Sequence, residues 1–120
     1  MEYTLDLKIN KGLDFIKTFR YKKLEEDNLV PQILFQATVR MQIRTTPKDP
    51  RILFDSLLVP NSLVITDDMN GVIKLHIPAS VTSTFKGKQA VYDILVNMQD
   101  KPESVLACGV VEFLTPVTRD

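Results

Sequence analysis

The sequence predicts an all-β fold of eight short strands, and three observations predict it. Apolar and polar residues alternate with period two along most of the chain, the pattern of a pleated strand with one buried face. Gly, Pro, Asn and Asp recur between the alternating runs, where turns need them. No stretch of ten or more residues repeats its apolar positions at helical spacing, so a βαβ fold has nowhere to place its crossover helices. Together these read as a sandwich or barrel within one domain, 1–120.

The first strand is "YTLDLKI" (3–9), with Tyr3, Leu5, Leu7 and Ile9 against Thr4, Asp6 and Lys8, and "NKG" ends it at Gly12. "DFIKTFRYK" (14–22) puts Phe15, Phe19 and Tyr21 on one face. "KLEEDNLVPQ" (23–32) is polar, carries Pro31, and reads as a loop crossing between sheets. The longest run, 33–44, holds "ATVRMQIR", with Ala37, Val39, Met41 and Ile43 inward and Thr38, Arg40, Gln42 and Arg44 outward. "TTPKDP" (45–50) stops it, and "ILFDSLLV" (52–59) is the next strand. "SLVIT" (62–66) and "GVIKLHI" (71–77) flank "DDMN", where Asn70-Gly71 supplies the positive φ of a tight hairpin. "PASVTSTFKGK" (78–88) has room for one helical turn, and "AVYDILVNM" (90–98) and "SVLACGVVEFL" (104–114) complete the series. Parity then names a core of Leu5, Leu7, Phe15, Phe19, Val39, Met41, Ile43, Ile65, Ile73, Leu75, Ile77, Tyr92, Ile94, Val111 and Phe113.

Charge and composition narrow the function. Lys+Arg and Asp+Glu are both 15, so the chain lacks the basic excess that displaces counterions from phosphates, and no nucleic-acid partner is expected. The opening "MEYTLDLKIN" has no basic stretch followed by an apolar run, and the longest apolar stretch is "VLACGVV" (105–111). Neither a secretory signal nor a membrane helix is expected. His76 is the only histidine and Cys108 the only cysteine. One of each builds neither a zinc site nor, with His76 on the outward parity, a nucleophile–base pair. The carboxylates of "EEDN" (25–28) and "TDD" (66–68) lack calcium-loop spacing and read as turn residues. No catalytic constellation, metal site or cofactor is expected.

The order of several stretches carries a resemblance. "KGLDFIKTFRYK" (11–22) is similar to an Arg-Gly-Asp-Thr-Phe opening followed by an aromatic-rich strand. "ATVRMQIR" (37–44) is similar to an Ala-x-x-Arg strand, and "NSLVITDDMNGVIKLHIPASVTSTF" (61–85) to a hairpin ending Leu-x-Ile-Pro-Ala-x-x-Thr. "AVYDILV" (90–96) and "VLACGVVEFLTPVTR" (105–119) are similar to a Tyr-Asp strand and a final strand with a Val-Thr-Arg ending. With these pieces in this order the chain resembles a family of small tailed-bacteriophage virion proteins with an immunoglobulin-like β-sandwich, found in tail tips and baseplates. One departure is "PQILFQ" (31–36), standing where the family has an Asp-Leu-Thr-Gly turn.

The resemblance implies an immunoglobulin-like antiparallel β-sandwich of seven to eight strands and a non-enzymatic structural role. It implies a place in the virion at the tail tip, baseplate or neck, reached after synthesis in the host bacterial cytoplasm. Its partners are then other virion subunits, with several copies per particle. The alternative is a recognition or decoration module that binds a host-surface glycan or protein or the capsid exterior. The absence of Trp, with Tyr3, Tyr21 and Tyr92 on inward parities, speaks for the structural role, since glycan binders present exposed aromatic platforms.

Candidate interface residues follow. Arg40 and Arg44 resemble a face that meets carboxylates of neighbouring subunits, because the guanidinium fork suits such pairs. Pairing with Asp93 or Glu112 on an adjacent strand is the competing reading. Leu29 and Val30 in the loop, Leu34 on the outward parity of 33–44, and Val117 and Arg119 beyond the last strand are expected to be exposed and covered by a partner.

Overall fold

The computed structural model describes residues 3–99 and 101–117. Strands dominate. Among the described residues helix is confined to a 3-10 turn at Asp68–Asn70 and a single turn, α1 (Ala79–Thr82). Among the described residues no helix is long and apolar enough to cross a membrane.

The larger sheet is built on β11 (Ser104–Leu114) and β10 (Gln89–Asn97), which pair antiparallel, followed by β6 (Thr38–Arg44) and the edge strand β7 (Ile52–Asp55). On the other side of β11 lie β1 (Tyr3–Thr4) and β2 (Leu7–Asn10). The smaller sheet orders β3 (Phe15–Arg20), β9 (Val72–Ile77) and β8 (Leu63–Asp67), all antiparallel. A separate two-stranded ribbon joins β4 (Lys22–Glu25) to β5 (Asn28–Pro31).

Burial follows parity closely. The two sheets bury their apolar faces in one cluster, to which β9 gives Ile73, Leu75 and Ile77 and β10 gives Tyr92, Ile94 and Val96. Every core residue expected from alternation is in or against that cluster; Leu5, Phe15, Val39 and Ile65 are only partly buried there. The buried aromatic rings of Phe85 and Phe113 meet at 5.2 Å between centroids, and the buried Thr82 hydroxyl accepts the Gly12 N–H at 3.0 Å. The Thr82 bond ties α1 to the turn after β2, and the ring contact ties the segment after α1 to β11.

Four local readings are corrected. Residues 23–32 are not a plain crossing loop: Lys22 pairs with Pro31 and Glu25 with Asn28 in a hairpin. Its turn is made by Glu26 and Asp27, both at positive φ, a conformation that Asp tolerates better than most residues. The expected antiparallel pairing also fails at the first strand. Tyr3 lies opposite Ala107 and Leu7 opposite Val111, both parallel. Register is kept across the gap between β1 and β2, so they are one strand interrupted at Leu5 and Asp6. There the Asp6 carboxylate accepts the Val110 N–H at 3.0 Å and the Tyr92 hydroxyl donates to the Leu5 carbonyl at 2.5 Å. Gly109 permits this approach, since any Cβ on it would overlap the Leu5 carbonyl.

The third correction is Asn70-Gly71. Only Gly71 takes a positive φ, because the 3-10 turn absorbs Asn70 and Gly71 terminates it. The fourth is Leu34, which is not outward-facing: it is 1% exposed. The strand starts at Thr38, and the Ala37 N–H closes a turn onto the Leu34 carbonyl with Gln36 at φ 59. That turn breaks the alternation, so parity counted back from β6 gives the wrong face. Leu34 goes in, and Ile33 and Phe35 go out.

Candidate interaction surface

The outer face of β6 carries a charge cluster. Arg40 grips Asp55 of β7 with both prongs of its guanidinium, Nη2 to Oδ2 at 2.6 Å and Nε to Oδ1 at 3.2 Å. Gln42 donates to Oδ2 at 3.0 Å and the Leu57 N–H to Oδ1 at 3.0 Å. Asp55 is buried while Arg40 keeps nearly half its side chain in solvent. Arg44 donates to the Gln42 side-chain oxygen and to the Asp49 carbonyl. The carboxylate that meets Arg40 is therefore neither Asp93 nor Glu112 but Asp55, on the strand at the other side of β6. Its partner choice depends on the Gln42–Asp55 register, which alternation along one strand does not reveal.

The cluster sets a pH dependence. The Arg40 guanidinium, aided by the Leu57 N–H and Gln42, holds the Asp55 carboxyl down from 3.8 to about 2 against the opposing effect of burial. At ~1.4 kcal/mol per pH unit this corresponds to ~2 kcal/mol of stability. The folded-state value lies below the unfolded one, so this contribution is complete above 3.8 and is lost as pH falls through about 2. Asp55→Asn is expected to cost ~2 kcal/mol at neutral pH and almost nothing near the folded-state value. Urea unfolding across that pH range reads the difference directly. A constant gap between the two proteins at every pH would contradict it.

Asp93, opposite Gln42 on β10, is half-buried, and burial pushes its carboxyl up while the charge of Arg44 pulls it back. With Gln42, Arg44, Pro47 and Cys108 it lines a depression of ≈ 300 Å³. His76 is on the other sheet, where it bonds Asp14 at 3.0 Å; the same carboxylate accepts the Ala79 N–H at the start of α1. Both members of the His76–Asp14 pair are accessible to solvent. Among the described residues no group of three His, Cys, Asp or Glu is placed to hold a metal ion.

A second surface lies where the ribbon leaves the body. The Tyr21 N–H donates to the Gly71 carbonyl at 2.8 Å, the Gln32 N–H to the Tyr21 carbonyl at 2.9 Å, and the Leu34 N–H to the Asp68 carbonyl at 2.7 Å. These bonds bring residues 33–35 alongside the 3-10 turn. Ile33 (53% exposed), Phe35 (63%) and Met69 (59%) thereby share one corner in solvent. A single exposed apolar residue is ordinary, but three large ones on adjacent segments form a patch of the kind that partners cover.

The interface residues expected from the sequence are not brought together. Leu29 is 64% exposed on the ribbon and Val117 98% exposed beyond β11, whereas Val30 is half-buried. Leu34 is core, and Arg119 lies outside the described residues. Sequence reading missed Ile33 and Phe35. The signal was present in "PQILFQ", which places three large apolar residues next to one another. A search against protein-family models and one against curated proteins found no match for the chain.

Proposed function

We propose that this chain is a non-enzymatic structural subunit of a tailed-bacteriophage virion, an immunoglobulin-like β-sandwich that works through protein–protein contacts at the tail tip, baseplate or neck. The observation that carries the contact role is the corner of Ile33, Phe35 and Met69, held in solvent by backbone bonds to the body. Rigid presentation of apolar groups lowers the ordering cost of association, which is what a built interface needs. The charges of the β6 face support the same reading in a different way. Arg40 and Arg44 each commit donors to partners within the chain, so that face is braced from within. The placement in a virion rests on the ordered resemblance of the sequence pieces.

The test is recovery with particles. The chain is expected to co-purify with intact virions in several copies, measured by quantitative mass spectrometry of gradient-purified particles. Phe35→Lys is expected to leave stability within ~0.5 kcal/mol, as for an exposed position, while lowering incorporation. Recovery of the chain only in the soluble lysate would sink the virion reading.

A further inference from the structure

We infer that β8 is a dimerisation edge, against which a second copy of this chain pairs its own β8 antiparallel about a twofold axis at Val64. The contact is separate from the corner and does not rest on the virion reading. Open bonding groups are the first reason. The His76 N–H donates to the Ser62 carbonyl at 2.7 Å, and in an antiparallel ladder such bonded pairs recur at every second residue. Val64 therefore turns its N–H and C=O toward Lys74 of β9, while Leu63 and Ile65 turn theirs away. Among the described residues no backbone bond reaches Leu63 or Ile65 from that side.

The apolar row is open at the same place. Leu63 and Ile65 lie opposite Leu75 and Ile73, both 0% exposed, yet are themselves only partly buried. The other sheet edges carry protection that β8 lacks. β3 points Lys17 into the row of Phe15 and Phe19, β7 is four residues long and preceded by Pro50, and the first strand is broken between Thr4 and Leu7. Inward charges, proline and interruptions keep edges from pairing. β8 has none of these from Leu63 to Thr66.

What fits this edge is the edge itself. A twofold at Val64 sets Leu63 opposite Ile65 of the second copy, and Ile65 opposite its Leu63. The two outward-facing residues of each strand then exchange N–H and C=O bonds, and the two Val64 side chains meet in the close, non-hydrogen-bonded pair. Apolar meets apolar throughout, the self-complementarity that an isologous contact requires. A twofold at Ile65 would instead set Leu63 against Asp67, beyond the register shift between Ile65 and Asp67.

β8 is five residues long, so the contact falls short of the ~1,200 Å² of buried surface typical of stable complexes. The dimer is therefore weak, with a Kd on the order of 1 mM. The experiment is NMR of the full chain over a concentration series spanning that value. Expected are concentration-dependent shifts and slowed hydrogen exchange at the Leu63 and Ile65 amides, larger than at the Val64 amide. Val64 is 40% exposed, so Val64→Lys and Val64→Glu are each expected to keep the parent fold. Each puts like charges directly opposite one another and is expected to weaken self-association about tenfold. An equimolar mixture of the two variants is expected to restore it, because a twofold at Val64 is the one register in which residue 64 meets itself. Three results overturn the assignment: no concentration dependence across the series, shifts centred on Ile33, Phe35 and Met69 instead of β8, or a mixture that associates no better than its components.

Discussion

Phe19→Ala is expected to remove about 3–5 kcal/mol of stability and Leu75→Ala about 2–5 kcal/mol. Both side chains are buried, and both belong to the cluster shared by the two sheets. Phe19 lies opposite Ile73 on the neighbouring strand, and Leu75 is the central residue of β9, paired with Lys17 on one side and Leu63 on the other. Truncation removes the transfer free energy of the side chain and leaves a cavity that a rigid sheet cannot collapse to fill. A loss of that size is a large share of the 5–15 kcal/mol that holds a typical domain folded. Thermal unfolding of the two variants gives the result. Melting within a degree or two of the parent would mean that these residues do not face the core.

Gly71→Ala is expected to cost about 2–5 kcal/mol, from two separate causes. Gly71 sits at φ +66, where an L side chain costs roughly 1–2 kcal/mol. A Cβ there would also lie 2.5 Å from the Gln32 carbonyl oxygen and 2.7 Å from that of Tyr21. Both obstacles are backbone, so relief requires the segments to move, at about 1–3 kcal/mol. Those same segments anchor the β4–β5 ribbon and the corner. A two-stranded ribbon is marginal by itself, so hydrogen exchange in residues 22–35 is expected to accelerate more than in β10 or β11. Uniform acceleration across the chain would indicate a general loss of stability instead of a local release.

Much of the architecture is legible in the chain before any coordinate. Period-two alternation is enough for β9 and β10, because each has one face against the common core and the pleat repeats every second residue. Gly12 and Gly71 were readable as breaks because both take positive φ, a conformation that costs glycine nothing. Parity fails where the backbone inserts a residue or turns. In β11 Leu106 and Ala107 are both buried, because register against β10 shifts between Ile94 and Leu95. In the segment before β6, the turn closed by Ala37 reverses the face of Leu34.

The charge cluster was half-readable. Arg40 and Arg44 were recognisable as outward, but their partners come from β7 and from Asp49. Which strand flanks β6 is a property of the sheet order, not of any local pattern. The ribbon was hidden for a related reason: "KLEEDNLVPQ" has no clear alternation, and its base depends on three segments that meet at Tyr21, Gln32 and Gly71.

By itself, then, the sequence determined the β class, most of the buried face of each strand, and the turns that demand glycine. These are decided by interactions among residues a few positions apart, and such interactions leave a periodic trace in the chain. Tertiary structure alone decided the parallel pairing of the first strand with β11, the Arg40–Asp55 pair, and the corner of Ile33, Phe35 and Met69. Each of these joins backbone or side chains from distant segments, and its geometry follows from strand order and register, which no single segment encodes.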